Sequence, residues 1–66
     1  MRQAFETAYR IVFDENDNIK PCGREATRRL ILAARELDPT KEYGNVNTGI
    51  MNTYMIQQLY RNVANN

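Results

Sequence analysis

Asp14, Asn16 and Asn18 precede Glu25 at the spacing of positions 1, 3, 5 and 12 of a twelve-residue calcium loop. Oxygen ligands in that order would wrap a hard cation, and helices are expected on both sides. Two positions break the pattern. The sixth, where such a loop turns sharply on glycine, is Ile19, a β-branched residue that resists positive φ. The eighth is Pro21, which has no N–H to pair with a second loop. The segment therefore reads as a solvated polar turn, followed by a glutamate that favours the first turn of a helix. Cys22 is the only cysteine. Its place beside Arg24, just ahead of a helix, would favour a thiolate, but no second cysteine or histidine can assist it. It reads as a small, partly buried hydrophobe. With no histidine in the chain, His-based catalysis and Cys/His zinc sites are excluded. No carboxylate pair sits where its pKa would rise, and no glycine-rich phosphate loop is present. The chain is expected to be no enzyme and to carry no metal or cofactor.

The arginines carry more information. Arg24, Arg28 and Arg35 fall along one outer face of a helix, with Arg29 beside them and Leu32 exposed among them. A solvated face accounts for this pattern, and so do two functional readings. One is a helix that contacts phosphates. The other is a rim of arginines around an apolar anchor, the composition favoured at protein interfaces. Farther along, Ile50 and Tyr54 with Arg61 form a second candidate patch. Asn52, Thr53, Gln57, Gln58, Arg61 and Asn62 are side chains that could read base edges, so the last two helices suggest a helix-turn-helix pair as an alternative. Against this, the connection from Asp38 to Thr48 is about eleven residues, where the motif uses three or four. The last helix would also carry only one positive charge, while affinity for DNA rests largely on phosphate neutralisation.

These residues need elements to hold them. Ala4, Phe5, Ala8, Tyr9 and Val12 follow helical spacing over residues 3–13. Tyr9–Phe13 also alternates like a strand, so an N-terminal β-hairpin turning at Asp14–Asn18 stands as the alternative. Pro21 and Gly23 interrupt the chain. Residues 24–37 form a helix with Ala26, Leu30, Ala33, Ala34 and Leu37 inward and Ile31 at the edge, ended before Pro39. Asp38 can cap a short helical turn over 39–43. Asn47 or Thr48 caps a last helix over 49–63, with Met51, Met55, Ile56, Leu59, Tyr60 and Val63 on one arc. The tail Asn65–Asn66 is expected to fray. The expectation is an all-α fold, a single small three-helix domain spanning residues 1–66.

Sixty-six residues set the physical limits. Such a chain buries only about 60% of its unfolded surface, so a partner or self-association is expected to supply part of its stability, and a homo-oligomer is expected. Nine Lys/Arg against eight Asp/Glu give a net charge of +1, which argues against a strongly basic nucleic-acid binder. No apolar run approaches the roughly 20 residues of a membrane span. Met1–Glu6 lacks the apolar core of a signal peptide. A cytoplasmic protein without membrane insertion is expected.

Two stretches, Lys20-Pro21-Cys22-Gly23-Arg24-Glu25-Ala26 and Tyr43-Gly44-Asn45-Val46-Asn47-Thr48-Gly49-Ile50-Met51-Asn52, carry a resemblance to the lysis-inhibition accessory proteins of T-even-type phages. The resemblance implies a non-catalytic regulatory protein of the host cytoplasm. It would bind the cytosolic part of the phage holin and delay lysis.

Overall fold

A computed structural model describes residues 1–65; Asn66, half of the tail expected to fray, lies outside the described residues. Three helices and a minimal hairpin follow one another: α1 (Arg2–Val12), α2 (Arg24–Leu37), β1 (Gly44–Asn45), β2 (Ile50–Met51) and α3 (Thr53–Ala64). The small, mostly helical domain expected from the sequence is the one observed.

α1 exists because Phe5, Tyr9 and Val12 form one apolar stripe, and all three are fully buried. It stops at Phe13, which turns to extended backbone at φ −115° and ψ 141°. The strand-like alternative survives only as a single antiparallel bridge between Phe13 and Ile19. Around it, the Asp14 N–H donates to Asn18 O and the Lys20 N–H to Val12 O, each at 2.8 Å. The Asp14 carboxylate turns inward and accepts the N–H groups of Asn16 and Asn18. This local bonding is what Asp and Asn favour in turns. Positive φ falls at Asp17, at 63°, and not at Ile19.

α2 begins after Gly23 and ends where Asp38 becomes extended ahead of Pro39. Its buried residues are Leu30, Ile31 and Ala34. Ile31, expected at the edge, is central because the β-hairpin covers that flank; a Cβ on Gly44 would lie 2.8 Å from Ile31 Cδ1. The helical turn expected over 39–43 does not form. The Asp38 carboxylate instead accepts the Thr40 N–H and hydroxyl and the Tyr43 hydroxyl. That bonding directs the chain into β1.

β1 and β2 pair antiparallel, Gly44 with Met51 and Asn45 with Ile50. The turn between them closes through Gly49 N–H to Asn45 O at 2.8 Å. α3 therefore starts later than expected. Its N-cap is Asn52, not Asn47 or Thr48, and the Asn52 side chain accepts the Met55 N–H at 3.2 Å. Met51 lies in β2 rather than on α3, and Ile56 and Leu59 carry most of the burial of α3.

The core is aromatic. Tyr9 stacks on Tyr60 at 3.9 Å and on Phe13 at 4.5 Å, and Phe5 packs tilted against both tyrosines. Arg10 covers the Tyr60 ring, with its guanidinium carbon 5.2 Å from the ring centroid. Burying each such ring stabilises by roughly 1.5–3 kcal/mol relative to exposure. Among the described residues no charged side chain is buried and no buried polar side-chain atom lacks a hydrogen-bond partner.

Candidate interaction surface

α2 positions the first set of candidate residues and the hairpin borders them. Leu32 is 43% exposed on the outer face of α2. Arg28 precedes it by one turn and is partly buried. Its Nε donates to Val46 O at 2.8 Å and its guanidinium meets the Glu25 carboxylate at 3.1 Å. Arg29 shares Glu25 at 3.3 Å. Arg24 and Arg35 are exposed, and among the described residues no ion pair or hydrogen bond engages the guanidinium of either. The stem of Arg24 lies against the hairpin turn, where a Cβ on Gly49 would come within 2.5 Å of Arg24 Cγ. From Arg24 to Arg35 the helix rises about 16 Å. The face is thus a strip with free cations toward both ends and Leu32 between them.

At the Arg35 end the strip opens into a cleft of about 510 Å³ between α2 and the hairpin, lined by Arg35, Lys41, Glu42, Tyr43, Val46 and Asn47 among others. Lys41 Nζ stands 3.7 Å from Asp38 Oδ2, beyond hydrogen-bond distance. The hydrogen bonds from Thr40, then that from Tyr43, hold the Asp38 carboxyl down at about 2. Burial, then the bond to Asp38, pushes the Tyr43 phenol up to about 12.

The second candidate patch is more dispersed. Ile50 leaves β2 at 70% exposure and Tyr54 leaves the first turn of α3 at 67%. Arg61 lies two turns farther along α3, exposed, and its charge reaches the Tyr9 phenol. Burial, then the bond to Asp17, holds that phenol above its ordinary range, and Arg61 opposes the shift. The polar side chains proposed to read bases are partly engaged within the chain. Asn52 caps α3 and donates to Glu42 O at 3.3 Å, and Gln57 donates to Asp17 O at 3.1 Å. The hairpin occupies the connection between α2 and α3.

Cys22 is exposed, not partly buried as expected. Among the described residues no group of three or more metal-ligating side chains comes together. Glu25, the would-be twelfth calcium ligand, is on α2 and paired with arginines. No helix of the described residues is long and apolar enough to cross a membrane.

One feature escaped the sequence reading. A groove of about 770 Å³ runs between α1 and α2, floored by Ala4, Ala8, Ala26 and Ala33 and edged by Ile11, which is 53% exposed. The signal was present as paired alanines one or two turns apart on both helices. Small side chains leave such a furrow when the larger ones turn to the core on the other side.

No protein-family model matches the chain, and searches of curated proteins and of solved structures likewise return no match.

Proposed function

We propose that this chain is a non-enzymatic regulatory module that acts by binding another protein through the outer face of α2, with Arg24, Arg28, Leu32 and Arg35 as the contact residues and Ile50, Tyr54 and Arg61 as a second candidate patch. The observation that carries the reading is Leu32, exposed at 43% between two arginines whose guanidinium groups have no partner among the described residues. An apolar anchor inside a cationic rim gives a partner both something to bury and something to orient it. The resemblance to phage lysis-inhibition accessory proteins makes the cytosolic part of a phage holin the proposed partner, the host cytoplasm the proposed location and delayed lysis the proposed effect. Self-association is part of the proposal, because a domain this small gains stability from any surface it covers.

Leu32→Asp tests it. Capture of the purified cytosolic part of the holin should be lost while circular dichroism shows unchanged helicity. Capture equal to the wild type removes this face from consideration. Light scattering across a dilution series tests the oligomer, and a monomer at every concentration refutes that part. The DNA-binding alternative predicts a gel shift that weakens steeply with salt. The internal bonds of Asn52 and Gln57 weigh against it.

A further inference from the structure

We draw no further inference here: the strongest candidate, the groove between α1 and α2 floored by Ala4, Ala8, Ala26 and Ala33 with Ile11 on its edge, is an unpartnered apolar face, and nothing in the structure shows what covers it.

Discussion

Arg28 donates from Nε to the carbonyl oxygen of Val46 at 2.8 Å, joining the middle of α2 to the hairpin turn. The same guanidinium holds Glu25 at 3.1 Å. One side chain thus fixes where the hairpin sits beside the proposed binding face. Arg28→Ala should destabilise the fold by about 1 kcal/mol, the net value of one such hydrogen bond. Arg28→Lys should recover little of it, because an ammonium lacks the fork that serves two acceptors in different directions. Chemical denaturation of the three proteins measures the difference. A lysine variant as stable as the wild type would show that charge, not geometry, is what Arg28 contributes.

The hairpin sets a second expectation, through its glycines. Gly44 has φ 142°, and a Cβ there would meet Ile50 O at 2.6 Å and the Met51 Cα at 2.9 Å, both backbone atoms that cannot yield. Gly49 has φ 76°, and its nearest obstacle is the flexible stem of Arg24. Gly49→Ala should cost about 1–2 kcal/mol, the penalty of left-handed backbone for an L residue. Gly44→Ala should cost clearly more, since strand pairing must shift as well. Equal thermal stabilities for the two variants would contradict this ordering.

These two glycines also explain what the sequence left hidden. The bounds of α2 were legible because Gly23 and Asp38–Pro39 punctuate a strong apolar stripe. The hairpin was not. Its strands are two residues each, too short for alternation to register, and its turn residues Asn47 and Thr48 resemble helix caps. Once residues 44–51 are a hairpin, α3 must begin at Asn52 and Ile31 must be covered. Both departures from expectation thus have one cause. On α2, the four candidate residues could be grouped on one face from helical spacing alone. Arg28's bond to Val46 could not be foreseen, because it joins segments whose relative position depends on the hairpin.

The bond between Tyr43 and Asp38, 2.9 Å long, makes stability depend on pH at both extremes. The Asp38 carboxyl is lowered from 3.8 to about 2. A depressed carboxyl stabilises the fold above its unfolded value and loses that contribution as pH falls toward the folded one, here between about 4 and 2. The Tyr43 phenol is raised from 10.0 to about 12. Its contribution is complete below pH 10 and disappears as pH rises through 12. Melting temperature against pH should be flat between these limits and fall on both sides. Asp38→Asn should lower the plateau and flatten the acid arm. An unchanged acid arm in that variant assigns the loss to other carboxylates.

Tyr9 is where the core, the polar turn and α3 meet. Its ring stacks on Tyr60 and Phe13, and its hydroxyl donates to Asp17 Oδ1 at 2.9 Å. The turn in which Asp17 sits is also held by Gln57 from α3. Tyr9→Phe keeps the stacking and removes one hydrogen bond, so it should cost about 1 kcal/mol. The loss should appear first as faster hydrogen exchange at residues 14–18, before global unfolding. Tyr9→Ala removes the ring itself, at about 3–5 kcal/mol for a buried aromatic. A chain of this length has roughly 3–10 kcal/mol in all, so the alanine variant should be largely unfolded at room temperature. A cooperative melt in Tyr9→Ala near that of the wild type would show that the stacked rings are not the centre of the fold.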